Sequence, residues 1–210
     1  MTEAARGLFL TFEGGDGSGK STQAALLTEY LTGAGRTVVH SREPGGTELG
    51  IELREIVLHR RGHIAPRAEA LLYAADRAHN IATVVRPALE RGDIVIQDRY
   101  LDSSVAYQGA GRVLDPGEVR EVSLWATEGL LPDLTVLLDL DIETGRARLD
   151  DARTRYDRLE AEAAEFHHRV REGYLALAAA EPGRFLVLDA TDPVEVLAGR
   201  IRDRVSELLA

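Results

Sequence analysis

Short apolar runs recur along this chain, separated by longer stretches that mix apolar and polar residues. Runs such as Ile94-Val95-Ile96 and Phe185-Leu186-Val187-Leu188 are apolar throughout. Strands of a parallel sheet have this composition, because helices cover both faces of the sheet. The pattern predicts five strands: Leu8–Glu13, Thr37–Ser41, Asp93–Asp98, Leu134–Asp139 and Arg184–Asp189.

The stretches between these runs carry apolar residues at helical spacing. They predict helices at Thr22–Thr32, Gly50–Arg60, Ala68–Arg91, Pro116–Glu128, Arg155–Ala180 and Pro193–Leu209. Strands that alternate with helices imply a three-layer α/β domain with right-handed crossovers. Ligands of such sheets bind beyond the carboxyl ends of the strands, so the residues that follow the strands are the first site candidates.

The composition fits a single globular domain of 210 residues, with no linker, repeat or low-complexity tract. The absence of cysteine excludes disulfides, thiolate zinc sites and cysteine nucleophiles. A net charge of −10 argues against broad nucleic-acid binding, although clustered arginines can still attract phosphate inside a cleft. No apolar run approaches the roughly 20 residues that cross a bilayer, and Met1–Arg6 lacks the plan of a signal peptide. We expect a cytoplasmic protein that binds neither nucleic acid nor membrane.

One lysine, Lys20, is present among the 25 lysine and arginine residues. It lies in Gly14-Gly15-Asp16-Gly17-Ser18-Gly19-Lys20-Ser21, which matches the G-x-x-x-x-G-K-[ST] pattern of a phosphate-binding P-loop. The glycines let backbone N–H groups converge on phosphate oxygens, and the lysine is a compact charge that reaches the β- and γ-phosphates. A predicted strand before the loop and a helix after it give the context that this motif requires. The sequence therefore predicts a nucleotide-binding site.

The end of the third predicted strand, Asp98-Arg99-Tyr100, is the second informative feature. An aspartate beside a P-loop can orient water around Mg²⁺ or contact Ser21, and an adjacent arginine offers a bidentate fork to phosphate. A structural Asp–Arg pair that closes a loop is the alternative. The chain's only asparagine is Asn80, so the Asn-Lys-x-Asp motif of switch GTPases is absent.

The P-loop and three further segments resemble bacterial thymidylate kinases, and the resemblance runs almost end to end. The further segments are Arg42-Glu43-Pro44-Gly45-Gly46-Thr47, Ala74-Ala75-Asp76-Arg77 and Asp98–Gly109. The last of these is the most specific, because related nucleotide kinases do not share it. The resemblance implies a nucleoside monophosphate kinase fold with a five-stranded parallel sheet, a homodimer, and Mg²⁺-dependent transfer of the γ-phosphoryl group of ATP to dTMP.

On the donor side, the resemblance implies that Lys20 contacts the β- and γ-phosphates and that Ser21 and Asp98 face Mg²⁺. Thr22 adds a hydroxyl near the α-phosphate. The expected ATP-binding residues are Gly14, Gly15, Asp16, Gly17, Ser18, Gly19, Lys20, Ser21 and Thr22.

On the acceptor side, Asp16 matches a family carboxylate near the 3′-hydroxyl, and Tyr73 stands where an aromatic residue stacks on thymine. Arg77, one helical turn after Tyr73, is placed to meet thymine O4 or the acceptor phosphate. Turn chemistry at Asp16 and core packing of Tyr73 are the alternatives. Ser103, Ser104, Tyr107 and Gln108 are expected along the base and against a ribose 2′-hydroxyl.

Arginines are expected to supply the remaining positive charge. Arg42 and Arg99 follow the second and third predicted strands, where they can clamp the transferred phosphoryl group and bind the acceptor. Arg42 could equally form a salt bridge with Glu43 or Glu48.

Five arginines crowd a predicted mobile lid at about residues 146–158: Arg146, Arg148, Arg153, Arg155 and Arg158. Some eukaryotic family members carry a catalytic arginine where this chain has Gly17, so here the charge should come from the lid. Arg153 and Arg155 are the expected catalytic lid residues, and a solvated charged face is the alternative, because acidic residues interleave with the arginines.

Two other functions remain open. A kinase of another monophosphate or of a deoxynucleoside would use the same donor site, although deoxynucleoside kinases usually carry Glu-Arg-Ser in place of Asp98-Arg99-Tyr100. An inactive nucleotide-binding regulator would keep the fold, but the intact Lys20 and Ser21 argue against it.

Overall fold

A computed structural model describes residues 6–60, 62–112, 114–152 and 157–210. Five parallel strands form one sheet in the order β2-β3-β1-β4-β5. Their bounds are β1 Phe9–Glu13, β2 Val38–Arg42, β3 Ile94–Asp98, β4 Leu134–Asp139 and β5 Phe185–Asp189. The five predicted strands are therefore confirmed to within one residue at each end.

Helices cover both faces of the sheet. They are α1 Lys20–Gly33, α2 Glu48–Arg54, α3 Pro66–Asn80, α4 Arg86–Glu90, α5 Leu101–Ser104, α6 Pro116–Ala126, α7 Ile142–Ala152, α8 Ala164–Ala180 and α9 Val194–Leu209. π-helical turns extend α2 through Glu55–His59, join α3 to α4 through Ile81–Val85, and extend α5 through Val105–Gly111.

The central strand β1 is fully buried, and its side chains alternate between two hydrophobic layers. Leu10 and Phe12 pack in one layer with residues of α1 and α9, and Phe9 packs in the opposite layer with Ile81 and Tyr100. The predicted three-layer α/β fold is confirmed. Parallel register places Phe12 opposite Asp98, so the loop after β1 lies beside the end of β3.

The chain is helical over nearly the whole predicted range Ala68–Arg91, but it does not form one regular α-helix there. Pro87 has no N–H to donate to the preceding turn, and the wide turn Ile81–Val85 comes directly before the segment that holds it. Helicity between Leu101 and Gly111 was not predicted, because the stretch contains two glycines, a β-branched residue (Val105) and an aromatic residue (Tyr107), which have low helix propensity.

The segment after β4 also differs from the prediction. Residues 142–152 form α7, where a lid loop was expected from residue 146 onward. The Asp141 carboxylate caps this helix by accepting a hydrogen bond from the Thr144 N–H at 2.8 Å, which is a readable helix-start signal. The helix predicted from Arg155 starts at Ala164, after a turn in which Asp157 and Glu160 accept each other's backbone N–H.

Across the described ranges, no helix is both long and apolar enough to cross a membrane.

Candidate active site

The glycine-rich loop connects β1 to α1 and forms a phosphate cradle at the helix start. Gly14, Gly17 and Gly19 have φ angles of 133°, 78° and 90°, which L side chains rarely adopt. No side chain caps the first turn of α1, so its N–H groups and the helix dipole are directed at the loop. This arrangement favours an anion at the N-terminus of α1.

Lys20 is buried at this helix start, and its ammonium group is held by the loop. Its Nζ donates to the carbonyl oxygens of Gly14 and Gly15 at 3.1 and 2.8 Å. Burial and repulsion from Arg99 lower the pKa of Lys20 to about 8. The lysine is therefore mainly charged at neutral pH and adjacent to the position that a phosphate would take.

Gly17 has no room for a side chain. A Cβ built there would lie 2.6 Å from the carbonyl oxygen of Gly145, on α7. An arginine at this loop position would therefore require α7 to move.

Arg99 points from the end of β3 toward the same loop. Its φ of 66° lies in the left-handed region, which costs about 1–3 kcal/mol for a non-glycine residue. The Arg99 guanidinium donates to Asp16 Oδ1 at 2.6 Å and to the Gly14 carbonyl oxygen at 3.1 Å, and it lies over the Tyr107 ring at 5.1 Å. The ion pair with Arg99 and the charge of Lys20 lower the pKa of Asp16 against the effect of its burial.

Asp98 and Ser21 provide oxygen atoms beside the phosphate cradle. The Ser21 hydroxyl donates to Asp98 Oδ2 over a long 3.4 Å, and Asp98 Oδ1 is buried with no hydrogen-bond partner in the described structure. Hard oxygen atoms, one of them unsatisfied, fit Mg²⁺. The described residues hold no cluster of three or more His, Cys, Asp or Glu side chains that could bind a metal, so nucleotide phosphates and water would complete the shell.

A cleft of about 460 Å³ opens in front of the cradle. Most residues expected from the sequence line it: Asp16, Gly17, Gly19, Lys20, Ser21, Thr22, Arg42, Tyr73, Arg77, Asp98, Arg99, Ser103, Ser104, Tyr107 and Gln108. Gly14 and Gly15 border a smaller cavity behind the loop, of about 60 Å³, and Ser18 is buried. The structure thus brings donor and acceptor candidates to one cleft.

The floor of the cleft on the acceptor side is a buried polar cluster, the acceptor network, made of Glu43, Arg77, Asn80 and Gln97. Arg77 is 1% exposed and donates through Nε to Glu43 Oε2 at 2.7 Å. Gln97 Nε2 donates to the other Glu43 oxygen at 2.7 Å, and Asn80 Nδ2 donates to Gln97 Oε1 at 3.0 Å. Burial raises the pKa of Glu43 to about 7, and Arg77 acts in the opposite direction.

The Arg77 guanidinium is also engaged by three other oxygen atoms. Its Nη1 donates to Ser123 Oγ, and its Nη2 donates to the Tyr100 carbonyl oxygen and to Ser104 Oγ, at 3.0–3.2 Å. With the Glu43 bond, four of its five N–H groups are used, and one is left for a ligand. The expected contact of Arg77 with thymine or phosphate stays a prediction, and the structural role was not foreseen.

Other acceptor-side residues are also held by protein partners. The Ser103 hydroxyl donates to Glu13 Oε2 at 2.6 Å, and Gln108 Nε2 donates to Glu69 Oε1 at 3.0 Å. The Tyr73 and Tyr107 side chains are mostly buried at the cleft wall, and burial raises both pKa values above the ordinary value, so both phenols are neutral.

Arg42 is exposed at the end of β2. It forms no salt bridge with Glu43 or Glu48 in the described residues, and Glu43 pairs with Arg77 instead. The salt-bridge alternative for Arg42 is therefore wrong, and its guanidinium lines the cleft.

The predicted lid divides into parts with different surroundings. Arg148, on α7, donates to the carbonyl oxygens of Gly17 at 3.3 Å and Ala190 at 3.1 Å. Arg158 donates to the Val57 carbonyl oxygen at 2.7 Å and to the Glu69 carboxylate. Arg153 and Arg155, the expected catalytic lid residues, lie outside the described residues.

Further residues around the site were not singled out from the sequence. Arg54 lines the cleft and donates to the Pro44 carbonyl oxygen at 3.0 Å, while Glu69 is a buried acceptor for Gln108, Arg112 and Arg158. Glu13 and Tyr174 form a further buried cluster behind the P-loop. Of these residues, only Glu13 could have been recognised from the sequence as a site candidate, because it is a carboxylate at the end of an apolar strand.

A P-loop on a five-stranded parallel sheet, facing an arginine-lined cleft with an aromatic wall, defines a P-loop phosphotransferase. The thymidylate kinase family model matches residues 12–201, and the chain therefore belongs to the thymidylate kinase family.

Similarity to known thymidylate kinases extends over nearly the whole length of the chain. A thymidylate kinase of Leifsonia xyli subsp. xyli is 77% identical over 199 residues, which cover 95% of this chain and 94% of the relative. A thymidylate kinase of Deinococcus radiodurans is 53% identical over 202 residues, covering 96% and 98% of the two chains. The crystal structure of thymidylate kinase from Ehrlichia chaffeensis superposes with a TM-score of 0.77 at 31% identity, covering 95% of this chain and 99% of that one.

Proposed function

We propose that this chain transfers the γ-phosphoryl group of ATP to dTMP, forming dTDP and ADP. In this reaction the bond from the γ-phosphorus to the bridging oxygen breaks, and a phosphate oxygen of dTMP forms the new bond. Family membership supports the substrates. The observation that carries the proposal is that Lys20 and Arg99 face the same cleft as Tyr73 and Gln108.

The donor roles follow from charge and position. The N-terminus of α1 and the Lys20 ammonium group favour the β- and γ-phosphates, and the Arg99 and Arg42 guanidinium groups offer charge between donor and acceptor. Both reactants are anions, and the acceptor phosphate has its second pKa near 6, so the reaction needs charge neutralisation and alignment more than a general base.

Ser21 and Asp98 are the residues that we propose to hold Mg²⁺, Ser21 directly and Asp98 through water. The unsatisfied Asp98 Oδ1 supports this role. When bound, the ion would supply positive charge that neutralises the charge developing on the donor phosphates.

The acceptor roles remain those expected from the family. Tyr73 offers a ring face for thymine, Gln108 and the remaining Arg77 N–H offer polar contacts to the base, and Tyr107 closes the wall near the sugar. Asp16, although paired with Arg99, is proposed near the 3′-hydroxyl. Arg153 and Arg155 are proposed to bring charge over the transferred phosphoryl group.

The test is ATP consumption by the purified protein with Mg²⁺ and, in turn, dTMP, dUMP, dCMP, dGMP, UMP and thymidine. Turnover dominated by dTMP is the expected result. Dominant turnover of thymidine would contradict a monophosphate kinase, and another preferred monophosphate would contradict the acceptor roles. ATP binding without turnover of any acceptor would favour the regulator.

A homodimer in the cytoplasm is also part of the proposal. Trp125 on α6 is 83% exposed and Leu71 on α3 is 59% exposed, and these two helices pack against each other. Large apolar side chains so exposed are typical of interaction surfaces. Trp125→Glu should shift the protein from dimer to monomer in analytical ultracentrifugation, whereas Tyr30→Glu, at an exposed tyrosine on α1, should not.

A further inference from the structure

Arg99 is fixed by more contacts than a loop-closing ion pair needs. Besides the Asp16 carboxylate, which Nη2 contacts, the two N–H groups of Nη1 share three acceptors: the Gly14 carbonyl oxygen at 3.1 Å and the hydroxyl oxygens of Ser103 and Tyr174, both at 3.3 Å. The left-handed backbone of Arg99 is held in place by these side-chain contacts, because an isolated arginine would leave this conformation.

The two hydroxyl groups are themselves anchored by Glu13. Glu13 Oε2 accepts from Ser103 Oγ at 2.6 Å and from the Tyr174 hydroxyl at 2.8 Å, and the two hydroxyl oxygens lie 2.7 Å apart. Glu13 Oε1 accepts the Tyr100 N–H at 2.7 Å, which ties this carboxylate to the turn that follows Arg99. We name Glu13, Ser103, Tyr174 and Arg99 the donor network.

The protons in this triangle of oxygen atoms can be counted. Each hydroxyl has one proton, and each of the three oxygen contacts can hold one. The bonds to Glu13 Oε2 use both hydroxyl protons, so the contact between Ser103 and Tyr174 holds none when Glu13 is ionised, and lone pairs of both hydroxyl oxygens are left for the N–H groups of Arg99. Glu13 acts as the acceptor that keeps the hydroxyl protons away from the guanidinium.

Tyr174 reaches this position from α8, and it does not line the cleft in front of the P-loop. It is 2% exposed, and its ring packs edge-on against Tyr107, whose face lies under Arg99. Glu13 is fully buried as well. Neither residue is therefore placed to contact a nucleotide in the cleft, and both act through Arg99.

We propose that Glu13 and Tyr174 are positioning residues for Arg99 and hold its guanidinium over the phosphoryl-transfer cleft: Tyr174 contacts the guanidinium directly, and Glu13 acts through the Ser103 and Tyr174 hydroxyls. This inference rests on the proposed function. Burying an unpaired carboxylate is unfavourable, and hydroxyl donors offset this only in part, so a purely structural cluster would be more stable with apolar residues. The retained Glu13 carboxylate is explained by the orientation that it imposes.

The test is a double-mutant cycle between Tyr174 and Arg99 with dTMP and ATP as substrates. Tyr174→Phe removes one hydroxyl and keeps the ring, and it should lower kcat about tenfold, because a hydrogen bond to a charged group is lost. The KM for ATP should change by less than about twofold, since the P-loop contacts remain. In an Arg99→Ala background, Tyr174→Phe should change kcat by less than about twofold, because its target is gone.

Glu13→Gln should reproduce this pattern, because the amide can donate a proton into the triangle and redirect a hydroxyl. If Glu13→Gln fails to fold, the result for Tyr174→Phe alone tests the proposal. Tyr30→Phe on α1, whose hydroxyl bonds Ser206, is the matched control and should leave kcat unchanged.

Equal effects of Tyr174→Phe in the wild-type and Arg99→Ala backgrounds would overturn the inference, as would an unchanged kcat. Failure of the unmutated chain to phosphorylate dTMP would instead contradict the proposed function, so the two failures are distinguishable.

Discussion

Two buried carboxylates are held in different ways: Glu13 ends β1, and Glu43 follows β2, with β3 between these two strands. Glu43, in the acceptor network, pairs with the Arg77 guanidinium, whereas Glu13, in the donor network, accepts only from neutral N–H and O–H groups. Burial raises the pKa of each to about 7. The acceptor network is therefore held together by an ion pair, and the donor network by the direction of hydrogen bonds.

This difference predicts two kinds of failure. Removing the cation from the acceptor network leaves the buried Glu43 carboxyl without its partner, so that it must either stay charged or take up a proton, and the protein should lose stability. Changing the donor network leaves no unpaired ion but misplaces Arg99, so the protein should lose activity first.

The largest expected effect lies at the donor loop. Lys20→Ala should lower kcat by about 10³-fold, because a preorganised charge on the transferred group is lost. The free energy of unfolding should stay near the wild-type value, since the buried Lys20 bonds only two loop carbonyls. Steady-state kinetics measures the loss of kcat, and urea unfolding measures the free energy of unfolding. Full residual activity would disprove the role of Lys20.

The acceptor network should fail in the opposite way. Arg77→Ala should lower the free energy of unfolding by about 3–5 kcal/mol, because Glu43 is left buried without its cation. The double variant Arg77→Ala/Glu43→Gln should recover part of this loss in urea unfolding. A double variant as unstable as the sum of both single variants would show that the ion pair is not the cause.

The raised pKa of Glu13 makes stability depend on pH. Below its ordinary pKa of 4.5 both the folded and the unfolded chain hold the proton, and between about 4.5 and 7 only the folded chain does. Raising the pH through this window therefore favours unfolding, by ~3 kcal/mol from this group once it is fully ionised.

In Glu13→Gln, the free energy of unfolding should fall less with rising pH than in the unmutated chain, and the remaining fall should come from Glu43. Glu29→Gln, at an exposed position on α1, should have the same pH profile as wild type. Urea midpoints measured from pH 4.5 to 8 check this, and parallel profiles for Glu13→Gln and wild type would contradict the raised pKa.

The smallest expected effect is on ATP binding. Because the pKa of Lys20 is lowered to about 8, its charge is lost as the pH rises above that value, and the Kd for ATP should rise by up to about tenfold per pH unit. Calorimetric titration between pH 7 and 9.5 measures this. Lys20→Met should abolish the dependence, and a flat wild-type profile would show that the lysine stays charged.

Local patterns explain what could be predicted. The P-loop, the strand ends and Asp98-Arg99 were found because their glycines, charges and apolar neighbours are contiguous in the chain. The acceptor residues were found only through the family resemblance, because no local pattern marks Tyr73 or Gln108 as ligand-binding rather than core. The two unforeseen helical stretches, Leu101–Gly111 and Ile142–Ala152, are stabilised by packing against α8 and the P-loop.

The sequence by itself determined the sheet, the phosphate cradle and the class of chemistry, because apolar periodicity and glycine conformation act over a few residues. Only the tertiary structure decided which buried groups hold Arg99. Glu13 and Tyr174 are 161 residues apart in the chain, and their hydrogen bond exists because the β1 end and α8 pack behind the P-loop. The pairing of Arg77 with Glu43 likewise depends on α3 packing over the end of β2, because a long-range contact is set by the fold and not by its two residue types.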